Sequence, residues 1–136
     1  MSNNLTLIKY QLDDNDGRYL EDTGEVITSS FIDENILHDL IEVAPLAKLI
    51  IYEKAGSDEF SEADCLQNEK IPEILNFVEK KFIDLFKKVK INAIENSEDE
   101  LVNTMSILRL ITNLYSLLKT KYTEYKSDNT VVVKLG

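Results

Sequence analysis

Apolar residues recur at three- and four-residue spacing over two long stretches in the second half of the chain. Ile71, Ile74, Leu75, Val78, Phe82, Leu85, Phe86, Val89 and Ala93 form the first stripe, with Lys80, Lys81, Lys87 and Lys88 between them. The second passes through Leu101, Met105, Leu108, Ile111, Leu114 or Tyr115, Leu118, Tyr122 and Tyr125. Both have the period of an amphipathic helix. The segment ENSEDE interrupts them, and Ser97 with Glu100 has capping-box spacing, in which hydroxyl and carboxylate satisfy the free N–H groups that open a helix. The pattern predicts helices near 71–95 and 98–125. Their short connection makes them antiparallel neighbours, stripe against stripe.

The first half switches to strand periodicity. NLTLIKYQL alternates around Leu5, Leu7 and Lys9, with Thr6, Ile8 and Tyr10 on the other face, and reads as a strand buried mainly on one side. DDNDGR stops it, because short polar side chains bond to their own backbone and Gly17 accepts positive φ. RYLEDTGEVIT returns as a second strand, or as a short ribbon turning again at DTGE. Ser30 then stands as an N-cap with Asp33 in the first turn, ahead of Ile36, Leu37, Leu40, Ile41 and Ala44 at helical spacing. Pro45 ends that helix or opens a second short one through PLAKLIIYEKAG. Residues 56–70, GSDEFSEADCLQNEK, read as an acidic surface loop. The closing VVV is β-branched and predicts a strand beside the N-terminal one. The expected fold is α+β in one domain, 1–136: an antiparallel long-helix hairpin plus one or two shorter helices on a small, mostly antiparallel sheet.

Charge is divided along the chain. Residues 1–69 carry 16 acidic and 4 basic groups, a net −12, whereas residues 70–136 carry 9 acidic and 11 basic, a net +2. An acidic half opposes a nucleic-acid backbone; it permits attraction to a basic protein partner, and plain solubility is its ordinary reading. The helix EKKFIDLFKKVK has a basic polar side, but its apolar side has a matching second helix to pack on, so neither membrane nor nucleic acid is expected there. No apolar run of membrane-span length is expected, APLAKLIIY being short and broken by Lys48. No basic leader precedes an apolar stretch, and the one cysteine cannot form an internal disulfide; a cytoplasmic location is the expectation.

Candidate chemistry is sparse. As an EF-hand, the Gly17 register puts Leu12 first and Thr23 last, and the Gly24 register puts Tyr19 first and Ser30 last; neither supplies the ligands calcium requires. The carboxylates Asp13, Asp14 and Asp16 therefore read as turn residues. Glu34, His38 and Glu42 share one predicted helix face and form, with Cys65, the weaker alternative site, for which the ordinary reading is a solvated histidine and an inert thiol. No cofactor is expected. The leading reading is a small acidic protein-interaction module meeting a basic partner through Asp58, Glu59, Phe60, Glu62 and Asp64. In size and charge it resembles small acidic bacterial proteins that neutralise a toxin or nuclease. Two alternatives stand beside it: a ligand-binding domain or enzyme with a pocket between sheet and helices, and a homo-oligomer subunit whose apolar helical surface is covered by another copy.

Overall fold

The computed structural model of the chain describes residues 3–12, 20–52, 60–95 and 98–136. Strand β1 (Asn3–Leu12) and strand β2 (Leu20–Ile32) are followed by helix α1 (Glu34–Val43), then strands β3 (Ala47–Tyr52) and β4 (Phe60–Cys65). A 3-10 turn at Asn68–Lys70 leads into α2 (Ile71–Ile94), α3 (Glu98–Glu124) and β5 (Val131–Leu135). The α+β architecture expected from the sequence is present, with the long antiparallel hairpin and one shorter helix.

The strands close into a small barrel in the order β1-β2-β3-β4-β5. β1 pairs antiparallel with β2 on one side and with β5 on the other, from Leu5↔Leu135 to Lys9↔Val131, so the two ends of the chain lie side by side as anticipated. β3 and β4 form a second antiparallel pair. Two narrow seams join these units: a parallel contact at Leu20↔Ile51 and Glu21↔Tyr52, and the bridge Cys65↔Lys134, where Leu66 N–H also donates to Val133 O at 2.9 Å.

Closure changes which residues are covered. Leu5, Leu7, Val131 and Val133 pack into a core with all three helices, while Ile8, Tyr10, Ile51, Ala63 and Val132 form a second cluster made of strand residues alone. β1 is thus buried on both faces instead of one, and the consecutive valines of β5 are all buried. A strand covered on both sides has no need of a polar alternate position.

Four local expectations change. DTGE is not a second turn: Leu20–Ile32 is one strand, and the pairing slips between Lys9 and Gln11, so the extra residues are taken up as an irregularity in the ladder. The N-cap of α1 is Asp33, not Ser30; its carboxylate accepts from Asn35 N–H at 2.9 Å, while Ser30 is buried in β2 and its hydroxyl donates to Phe31 O. Pro45 follows the end of α1, but the segment after it is strand β3, because Leu49 and Ile51 gain more from the strand cluster than a short isolated helix gives. The predicted loop over 56–70 holds strand β4 from Phe60 to Cys65 and then the 3-10 turn, with Ala63, Cys65 and Leu66 buried. Its acidic composition hid an alternation in which Ala63 and Cys65 face inward and Glu62 and Asp64 outward. The first-hairpin turn with Asp13, Asp14, Asp16 and Gly17, and the capping-box Ser97, lie outside the described residues.

The hairpin helices run where the periodicity placed them. Pro72 sits in the first turn of α2, where its missing N–H costs nothing. α2 buries Ile71, Ile74, Leu75 and Val78 in the core it shares with α3 and α1, and α3 buries Ile111, Leu114, Leu117 and Leu118 there and lies between α2 and the strands. Beyond those turns the two helices continue as an arm, Val78 to Ile94 alone spanning about 24 Å at the usual rise per residue.

Candidate functional site

The arm holds the largest departure from a covered core. Phe86 is 60% exposed, Ile94 75%, Val102 66% and Met105 53%, and Phe82, Ile83 and Ile91 are also exposed. The sequence reading placed Phe82, Phe86 and Met105 in the packed stripe. The structure puts them outside it, because among the described residues only two helices are present at this height and each can hide only its facing side. Inside the arm Leu85, Val89, Leu101, Ile107 and Leu108 are half-buried. Among them Asn92 Nδ2 donates to Thr104 Oγ1 at 3.2 Å, a fully buried polar pair near the tip. In an otherwise apolar seam such a pair fixes the register of α2 on α3, since any slip leaves a buried polar group unsatisfied.

At the base of the exposed face, Glu79, Phe82, Ile83, Thr112 and Tyr115 line a hollow of about 410 Å³ with almost wholly apolar walls. Tyr115 Oη donates to Glu79 Oε1 at 2.9 Å, and this bond beside a carboxylate raises the phenol above its ordinary value. The hollow lies between α2 and α3, not between sheet and helices.

The other sequence candidates are dispersed. On β4, Glu62 is exposed and Asp64 pairs with Lys48 across the β3–β4 ladder at 2.7 Å. Phe60 opens that strand, whereas Asp58 and Glu59 lie outside the described residues. His38 is exposed on α1, its Nδ1 3.8 Å from Glu42 Oε1 and 3.9 Å from Asp39 Oδ1. These three offer one ligand atom each within 4.8 Å, so the structure groups Asp39 with His38 and Glu42, while Glu34 lines the shallow hollow beside them with Asn3, Asn35, Leu37 and Ile41. One nitrogen and two solvated carboxylates on one helical turn make a weak set for zinc. Cys65 is buried on β4, and burial followed by the nearby Asp64 charge pushes its thiol up, away from the nucleophilic form.

Two further features escaped the sequence reading. Lys121, 1% exposed, donates from Nζ to Tyr125 O at 2.8 Å and Asp128 O at 2.9 Å, closing the carbonyl end of α3; burial lowers its pKa, opposed by Asp128. Its position one turn after Leu117 and Leu118 was the available signal. The second is α3 itself, which by length and composition is apolar enough to cross a membrane, contrary to the expectation of no such run: Arg109 is the only charge from Leu101 to Leu118. About 28% of that window is buried inside the molecule.

Compared with protein-family models, curated proteins and solved structures, the chain matches none.

Proposed function

We propose that the chain is a small protein-interaction module. The observation that carries this reading is the exposed apolar face of the α2–α3 arm, with Phe86, Ile94, Val102 and Met105 all more than half exposed. Large apolar side chains left in water in this number on a folded chain mark a contact surface, since leaving them there forfeits the burial that drives association. The acidic half supplies the second part of the proposal. β1 to β4 and α1 come from the segment of net charge −12, and Glu34, Glu42 and Glu62 are exposed on it. A basic protein is the partner this half would steer, with an inhibitor or immunity role as the sharpest form.

The test begins with proteins that co-purify from the native host and continues with the purified partner. Association rate against ionic strength is measured for the wild type and for Glu34→Lys/Glu42→Lys/Glu62→Lys. The expected result is a fast, salt-sensitive association that the triple variant slows by about tenfold at low salt. Equal rates for the two proteins would end the steering role of the acidic half. A chain that binds no protein with either surface intact would end the interaction reading itself.

A further inference from the structure

One line of residues on α3 has an order that names its own partner. Glu98, Val102, Met105 and Arg109 follow at four-, three- and four-residue spacing, and all are exposed. This spacing keeps side chains on one stripe of a helix and is the repeat by which helices pack in coiled coils. Thr112, the next position of the repeat, lines the apolar hollow with Phe82 and Ile83, so the base of the stripe adjoins the apolar side of α2 there.

From this we infer, resting on the interaction reading above, that the arm docks on a second copy of the same chain, the two arms antiparallel. The stripe reads acid, apolar, apolar, base. Laid against its own reverse, Val102 meets Met105 of the partner subunit and Glu98 meets Arg109 of the partner subunit, and symmetry repeats both contacts. α2 has the same symmetry centre. Counted from the hairpin turn at the helical rise per residue, the midpoint of Phe86 and Ile94 and the midpoint of Val102 and Met105 both fall about 10 Å down the arm. Phe86 therefore lies level with Ile94 of the partner subunit.

Charge excludes the alternative in which both arms point the same way. That arrangement brings the tips with Glu95, Glu98, Asp99 and Glu100 together and sets two halves of net charge −12 side by side. The antiparallel arrangement holds those halves at opposite ends of a four-helix bundle and leaves them free for basic partners. The overlap is a face of about 20 Å by 20 Å on each copy, about 800 Å² in total and below the range of stable interfaces, so a weak, concentration-dependent dimer is expected.

Sedimentation equilibrium of the purified full chain, from low micromolar to near-millimolar, tests this. The wild type is expected to be a dimer at the upper end and Met105→Glu a monomer throughout. Glu98→Arg alone should raise the dissociation constant about tenfold, and adding Arg109→Glu should restore it. A wild type that stays monomeric, or a double reversal no tighter than Glu98→Arg, overturns the pairing; the interaction reading then rests on its own test with a foreign chain. All three positions are exposed, so circular dichroism should be unchanged; if Met105→Glu unfolds, the charge-reversal pair decides alone.

Discussion

The base and the outer half of the α2–α3 hairpin are made from the same two helices with similar apolar content, yet they end in different environments. At the base, Ile74, Val78, Leu114 and Leu118 are fully buried because the core formed with the barrel strands and α1 encloses this end of the hairpin. In the outer half only the facing helix is present among the described residues, and Ile83, Ile94 and Val102 stay in water. The contrast teaches that periodicity reports which side of a helix is apolar, whereas coverage depends on what stands beside it.

The sharpest way to break this comparison is to cut side chains at both ends. Leu118→Ala and Ile74→Ala should each lose ~2–5 kcal/mol through lost transfer energy and a residual cavity. Phe86→Ser and Ile94→Ser should stay within ~0.5 kcal/mol in dilute protein. Urea unfolding at low micromolar concentration reads both; a loss at Phe86 equal to that at Leu118 would erase the distinction.

Next in size is the closure of α3 by Lys121. Lys121→Ala removes the donor to the Tyr125 and Asp128 carbonyls and should cost ~1–3 kcal/mol. Thermal unfolding would show it as a lowered midpoint, and an unchanged midpoint would mean that water replaces the ammonium without loss.

The polar pair inside the arm gives a smaller effect with a sign that can be reversed. Asn92→Ala strands the Thr104 hydroxyl and should cost ~1–2 kcal/mol, while Asn92→Leu/Thr104→Val together should come close to wild type. If both variants fall equally, the pair contributes bulk and not hydrogen bonding.

The smallest expected effect is a pH dependence at Asp128. Hydrogen bonds from the Thr130 hydroxyl and N–H hold its carboxyl below the ordinary 3.8. The unfolded chain therefore binds the proton more readily, and this contribution to stability is present above 3.8 and lost as pH falls through the folded value. Unfolding midpoints between pH 5 and 3 should fall more for the wild type than for Asp128→Asn, which keeps an acceptor but does not titrate; parallel curves would remove Asp128 from the acid response.

Much of the fold was legible because its signals are local, even where, as for β1 and β5, the contact itself is not. The two long helices, Pro45 beyond the end of α1 and the pairing of the chain termini all follow from residues close in sequence or from one clear change of period. Barrel closure was not legible, since the two-residue contact of β2 with β3 and the single bridge of β4 with β5 leave no pattern in either strand. Acidic composition masked β4 because Glu62 and Asp64 occupy its outer positions. For the candidate site, the apolar stripe was visible but its exposure was not. The signal lay in Ile83, Ile94 and Val102, apolar residues outside the stripes that make each helix too broadly apolar for one neighbour to cover.

Methyl NMR over a dilution series tests whether the barrel end is complete within one chain while the arm is completed by a second. The Met105 methyl at the centre of the arm and the Ile111 methyl in the core sit on the same helix, one 53% and the other 1% exposed. As the protein is concentrated, Met105, Val102 and Ile94 should shift together along one binding curve while Ile111 stays fixed. A Met105 resonance that does not move from micromolar to millimolar protein, or a shift confined to the barrel valines, would contradict the account.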